Sequence, residues 1–206
     1  MYIIDRTLRF TRGFLLSYGP SPIKKFFWDH EFSSGKWNFI DNTAGDCVYL
    51  HLDRFAKDRR VLDLGCGPGN TANELATSAY QTYVGVDISE AALLKARRRT
   101  GETGRTGKNL FVKDDFLNYV PTQRFDLILF RESMYHVPIG KVKTILDRYA
   151  NYLKDGAVFV VRLHGGTTKH RPKAMLNIIE SEFEIIEKSQ YPEEATVLVF
   201  KPRRPC

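Results

Sequence analysis

The sequence has little cysteine, no long apolar run and no low-complexity tract. Its three cysteines, Cys47, Cys66 and Cys206, are too few and too scattered for a disulfide framework or a zinc site, and no metal is expected. No apolar stretch approaches the roughly 18 residues that mark a membrane span. The opening MYIIDRTLRFTRGFLLSYGP mixes charges into its apolar residues and has no small-residue cleavage site, so no secretory leader is expected. These absences set the expectation of a cytoplasmic chain without a membrane partner. Repeats and linkers are missing too. The 206 residues therefore suggest one domain, with residues 1–58 as a cap segment and 59–206 as its main body. What is present is an ordinary globular balance, 43% hydrophobic and 27% charged, which excludes wholesale disorder.

Charge is uneven. Lysine and arginine number 31 against 24 acids, a formal net of +7. Between Lys95 and Lys108, six cations (Lys95, Arg97, Arg98, Arg99, Arg105, Lys108) face only Glu102. Such a stretch suits nucleic acid, or else a helix whose last turn and exit loop carry cations against the negative end of its dipole. No base-stacking aromatics interleave with these charges, which favours the second reading.

After an aromatic, irregular start containing Trp28, Phe32, Trp37 and Phe39, one theme repeats. RRVLDLG reads as a buried strand, NTANELATSAY as a helix and TYVGVDIS as a second strand. Ser89 is a good N-cap for the helix EAALLKARRR. NLFVKDDF and RFDLILFRE follow as strands. IGKVKTILDRYANYL carries Val142, Ile145, Leu146, Tyr149 and Leu153 at helical spacing, with Lys154-Asp155-Gly156 as its stop. AVFVVRLHG is a fifth strand, AMLNIIESEF a helix, and FEIIEKSQY and ATVLVFKP a closing pair joined by the short YPEEA. Alternating strands and helices imply an α/β, Rossmann-like doubly wound sheet of seven strands. It should be mostly parallel, with an antiparallel C-terminal hairpin and the N-terminal cap. Right-handed crossovers gather the strand ends on one ligand-binding edge.

The strongest chemical signal is DLGCGPGN at 63–70. Gly65, Gly67 and Gly69 allow a sharp turn and close approach to a ligand, beside a helix N-terminus with free amide donors. Asp87, ending the second strand, can accept both hydroxyls of a ribose, each bond contributing about 1.5–3 kcal/mol. The dinucleotide pattern G-x-G-x-x-G fails here, because Asn70 stands at its third glycine. Pro68 removes an amide that a diphosphate would want, and Asp63 would meet a cation better than a pyrophosphate. Cys66 reads as a space-filler in the loop.

With these motifs in order over about residues 60–200, the sequence resembles the class I S-adenosylmethionine-dependent methyltransferases. The resemblance implies S-adenosyl-L-methionine as cofactor, with Asp63, Gly65, Gly67 and Gly69 around its methionine and ribose. It also implies Asp87 on the ribose hydroxyls, Ile88 against the adenine, Asp115 on the adenine amino group and Phe116 along the ring. Asp114 stands where the family has glycine. Arg131 tips the fourth strand under the methionine. The Asn/Asp-Pro-Pro-aromatic motif of base-directed enzymes and the Asp/Asn cluster of metal-dependent catechol enzymes are absent. RESMYHV and WDHEFSSGKW are more similar to small-molecule enzymes of the nodulation-factor N-methyltransferase type.

A sulfonium methyl is already electrophilic, so alignment, with on the order of 7–11 kcal/mol available, matters more than a base. His136, following the fourth strand, is the first candidate base; His164 and Glu132 are the others, Glu132 alternatively holding a substrate amine. Trp28, Phe32 and Trp37 suit a substrate lid or simple packing of the cap. The expected acceptor is a small molecule, such as a saccharide or natural product, methylated on oxygen or nitrogen, with no nucleic-acid partner. Two other readings stay open: an RNA- or protein-directed enzyme using residues 95–108, and a non-catalytic nucleoside-binding or oxidoreductase domain.

Overall fold

The structure, a computed structural model, describes residues 11–166, 168–192 and 195–203. Residues 1–10 of the cap and Cys206 lie outside these. The cap begins with α1 over residues 11–18, followed by α2 (Ser21–Ser33) and α3 (Val48–Phe55). The main body runs β1 (Arg60–Leu64), α4 (Asn70–Glu74), β2 (Thr82–Asp87), α5 (Glu90–Glu102), β3 (Asn109–Lys113) and β4 (Phe125–Arg131). It continues with α6 (Val142–Ala150), β5 (Leu153–His164), α7 (His170–Glu182), β6 (Phe183–Gln190) and β7 (Ala195–Pro202).

The seven strands order as β3-β2-β1-β4-β5-β7-β6. The first five pair in parallel, and β7 enters antiparallel between β5 and β6. Alternating side chains divide the core between the two faces, as a strand period of two requires. Leu62, Leu64, Ile128, Phe130, Phe159 and Val161 pack against α6 and α7. Val61, Tyr83, Leu127, Leu129, Val158 and Val160 face the side of α3 and α5. β1 and β4 are neighbours although the chain travels out to β3 between them. Their carboxyl ends therefore open a crevice where ligands bind in such sheets.

Ser89 caps α5, its hydroxyl accepting from Ala92 N at 3.2 Å. Two expected boundaries move. The helix expected over 70–80 stops at Glu74. Continuing it would require the Ala72 and Leu75 carbonyls to accept the amides of the next turn. Instead Tyr80 Oη, Asn109 Nδ2 and Arg105 Nη1 donate to Ala72 O, and Arg105 Nη1 also reaches Leu75 O at 2.7 Å. These donors come from up to 37 residues away, beyond any local pattern. Likewise α6 ends at Ala150, before the Lys-Asp-Gly stop, and Leu153 belongs to β5 rather than to the helical stripe. Leu153 pairs with Phe125 and Val158 with Leu127, so residues 154–157 bulge out of register, with Gly156 at φ +73°.

Candidate active site

The glycine loop turns inward. The amides of Gly65 and Cys66 both donate to Val86 O, at 2.8 and 3.1 Å, and that of Gly67 donates to Asp87 Oδ2 at 2.8 Å. These N–H groups are engaged by β2, and α4 is only five residues long. The loop's own amides at 65–67 are thus taken up inside the fold, and the free donors expected beside it belong to the first turn of α4. Gly67 is open: a Cβ there would meet only the Phe32 ring at 3.8 Å. Gly69 is different, because it lies outside the cavity lining. At φ +72° it starts α4, and a Cβ would press on Ala96 Cβ at 2.7 Å. What the structure gives Gly69 is a close packing contact with α5.

Beyond the loop lies a cavity of about 700 Å³. Every other expected site residue lines it: Asp63, Gly65, Gly67, Asp87, Ile88, Asp115, Phe116 and Arg131 on the strand-end wall. On the opposite side are Trp28, Phe32 and Trp37, with Glu132, His136 and His164 at the junction. Asp63 is buried and accepts from Tyr83 Oη, while its Oδ1 has no hydrogen-bond partner. Burial pushes its carboxyl up to about 6, and does the same for Asp87, which accepts the amides of Gly67 and Ser89. Asp115 faces the cavity and Asp114 is exposed. Asp115 accepts from Ser21 Oγ at 2.8 Å and Lys24 Nζ at 3.1 Å, both on the cap.

β4 and β5 end in two arginines that are direct neighbours, Arg131 opposite Arg162. Like charges so close need an acid between them, and Asp46 provides it. Arg131 Nη2 lies 2.9 Å from Asp46 Oδ2, and Arg162 Nε 3.3 Å from Oδ1. Burial alone would raise the Asp46 pKa, but the two guanidiniums hold it below the usual range. Arg162 also grips Glu132 at 2.5 Å. Glu132, at φ +56°, is therefore occupied as a countercharge, which argues against its expected role as base or amine holder. His164 is exposed at the mouth; Tyr135 Oη donates to its carbonyl at 2.6 Å.

His136 stands edge-on to Trp28, ring centroids 5.0 Å apart. Among the described residues its ring makes no hydrogen bond. Burial first, then Arg12, Arg171 and Lys24, lower its pKa to about 4, while Asp115 opposes them. A pKa lowered this far leaves the imidazole uncharged at neutral pH and weakens it as a proton acceptor.

The cap is latched by Glu31. This buried carboxylate accepts from Arg12 through two nitrogens, from Lys36 Nζ at 2.7 Å and from Trp37 Nε1 at 3.0 Å. Asp29 accepts from Ser89 Oγ at 2.9 Å and so ties α2 to the end of β2. Ser133, Asp46, Arg162, Arg12 and Lys24 line the cavity although sequence reasoning missed them. Ser133 sits inside RESMYHV, where its place after a strand tip was the available signal. Its buried Oγ has no partner.

The cations of 95–108 are engaged within the fold. Lys95 binds Asn38 and Asp41, Arg97 binds Glu90, Arg98 binds Glu102, and Arg99 binds Glu74. Arg105 reaches the Ala72 and Leu75 carbonyls and Lys108 that of Thr77. No group of three or more His, Cys, Asp or Glu among the described residues is placed to hold a metal. No helix among them is long and apolar enough to cross a membrane.

Sheet order, glycine turn and acid-tipped β2 together define the class I S-adenosylmethionine-dependent methyltransferase fold. The family model described as a methyltransferase domain matches residues 36–195, and the chain belongs to that family. It is similar to sterol 24-C-methyltransferase erg-4 of Neurospora crassa, 31% identical over 144 residues, covering 64% of this chain and 38% of that protein. It is also similar to the mitochondrial arginine-hydroxylase NDUFAF5 of Rattus norvegicus, 28% identical over 150 residues, covering 72% and 42%. The chain thus spans under half the length of these curated relatives. Among solved structures, N-methyltransferase NodS of Bradyrhizobium japonicum in complex with S-adenosyl-L-homocysteine superposes with a TM-score of 0.68. Identity is 18%, over 87% of this chain and 98% of that one, a likeness of fold.

Proposed function

We propose that the protein moves a methyl group from S-adenosylmethionine to an oxygen or nitrogen of a small molecule. The observation that carries this reading is one continuous cavity joining the glycine loop to an aromatic cap. Its residues suit the cofactor. The unpartnered Asp63 oxygen is available to an ammonium, Gly67 leaves room for close approach, and Asp87 is available to ribose hydroxyls. Ile88 and Phe116 offer apolar walls for the adenine, and Asp115 an acceptor for its amino group. Arg131 and Ser133 stand at the methionine end.

When bound, S-adenosylmethionine supplies an electrophilic methyl on sulfur. The chain's contribution is to orient the acceptor and exclude water. Trp28, Phe32 and Trp37 enclose the acceptor, and His136 holds it by hydrogen bonding without taking up charge. The engagement of the 95–108 cations within the fold favours a small acceptor over RNA. The arginine-hydroxylase relative keeps a different reaction in view, since family membership alone does not fix chemistry.

Calorimetry tests the reading. S-adenosylmethionine and S-adenosylhomocysteine should bind, and Asp87→Ala should weaken both more than about tenfold, since each lost charge-assisted bond is worth about 1.5–3 kcal/mol. Unchanged affinity in that variant would sink the assignment. NAD competing in place of S-adenosylhomocysteine would favour the nucleoside-binding or oxidoreductase alternative.

A further inference from the structure

Resting on that reading, we propose that helix α2 is the gate through which the cofactor enters and leaves, and that the ion pair between Lys24 and Asp115 is its bolt. Ser21, Lys24, Trp28 and Phe32 recur at spacings of three and four, so they share one face of α2. That face, with Asp29 beside it, meets the strand-end wall at three places. Asp115 Oδ2, after β3, accepts from Ser21 Oγ at 2.8 Å and Lys24 Nζ at 3.1 Å. Asp29 Oδ1 accepts from Ser89 Oγ at 2.9 Å and from the Ala91 amide at 3.3 Å, just beyond Asp87. The Phe32 ring stands over Gly67. On that reading these three places hold adenine, ribose and methionine. From Lys24 to Phe32 the helix covers about 12 Å, enough to roof a bound nucleoside.

Two features make this roof a gate and not a fixed wall. The first is how little fastens it. Among the described residues, the side chains of α2 that hydrogen-bond outside the cap are Ser21, Lys24 and Asp29. Glu31 is held by Arg12, Lys36 and Trp37, all in the cap, so it keeps the cap together without fastening it to the sheet. Of the three ties only Lys24 brings a cation to an anion, and both members of that pair are buried, where salt screens them little. The second feature is the place left on Asp115. A carboxylate has about four lone-pair positions. Ser21 and Lys24 fill those of Oδ2, and the Leu117 amide takes one on Oδ1 at 3.0 Å. One position on Oδ1 is left for an adenine N–H while Lys24 stays bound. The bolt is therefore the same with and without cofactor. It slows entry and exit by one factor and leaves the equilibrium between them unchanged.

The chain's two tryptophans, Trp28 on α2 and Trp37 just after it, both line the cavity, so their emission follows closure in a stopped-flow mixer. With S-adenosylhomocysteine as ligand, the observed rate of the wild type should level off at high concentration, at the rate of opening. Lys24→Met should raise that plateau and the dissociation rate together, each by about tenfold or more, with Kd unchanged within about threefold. Lys24→Arg keeps the charge and should keep exchange slow. A merely structural role for Lys24 would lower Tm without moving the two rates in step. Faster dissociation alone would make Lys24 a ligand contact, and faster association alone would make it a competitor for the adenine position; either result overturns the gate. So does a wild-type rate that climbs linearly with ligand concentration, and that measurement decides should Lys24→Met fail to fold. Absence of any S-adenosylhomocysteine binding overturns the methyl-transfer reading and this proposal with it.

Discussion

The two walls of the cavity are built by opposite means. The strand-end wall is made of backbone turns and short carboxylates, fixed by parallel pairing of β1 with β2 and β4. The cap wall is made of large rings held by charges reaching across the chain, such as Arg12 to Glu31 and Lys24 to Asp115. The first is rigid because the sheet is. The second depends on a few ion pairs, so one substitution can loosen it while leaving the sheet intact. A scaffold that keeps its donor site and varies its acceptor needs this division.

Removing the latch should break the contrast most visibly. Glu31→Gln leaves Arg12 and Lys36 without their acid and should cost about 3 kcal/mol, read as a fall in Tm and a red-shifted tryptophan emission. Cofactor affinity should hardly move; an equal loss of both would show that the walls are not independent. Gly69→Ala probes the other side. The left-handed φ and the contact with Ala96 should cost about 1–3 kcal/mol in thermal unfolding, without lowering affinity in the folded fraction. His136→Ala should slow turnover by less than the ~10²-fold expected for a positioned base, with cofactor affinity retained. A larger loss would restore His136 as a proton acceptor.

The smallest effect is a pH signature with opposite signs on the two walls. Asp63 and Asp87 are raised to about 6 by burial, so the folded state holds extra protons below that value. Their contribution to stability therefore falls as pH rises from about 4 toward 6, and cofactor affinity should rise over the same window as they ionise. Burial alone would raise Glu31 too, but Arg12, Lys36 and Trp37 hold its pKa below the usual range. Its contribution is present above the ordinary glutamate value and is lost as the medium turns acid. Denaturation and calorimetry across that window separate the two; parallel trends would contradict the contrast.

Much of the strand-end wall was legible because it is local. The glycine spacing, the acid ending β2 and the Ser89 cap each lie within a few residues of the strand they follow. The end of α4 was not, because its carbonyls are taken by Tyr80, Arg105 and Asn109. Nor was the Gly69 role, which depends on Ala96 arriving from α5. On the cap side the aromatic residues stood out by type. Their latch did not, and neither did Asp46, because an acid in a polar loop carries no mark of the arginines it will serve. The pairing of Glu132 was hidden for the same reason: its partner Arg162 is 30 residues further on.

The acid shared by Arg131 and Arg162 ties the segment before β1 to the two central strands β4 and β5. Asp46 comes from the segment before β1, yet it lets two cations end adjacent strands side by side. A chain trimmed to begin at residue 59 would leave that pair to repel at the rim of the sheet. The N-terminal segment is thus no detachable accessory, and any exchange of caps between such proteins must bring its own anion to the same spot.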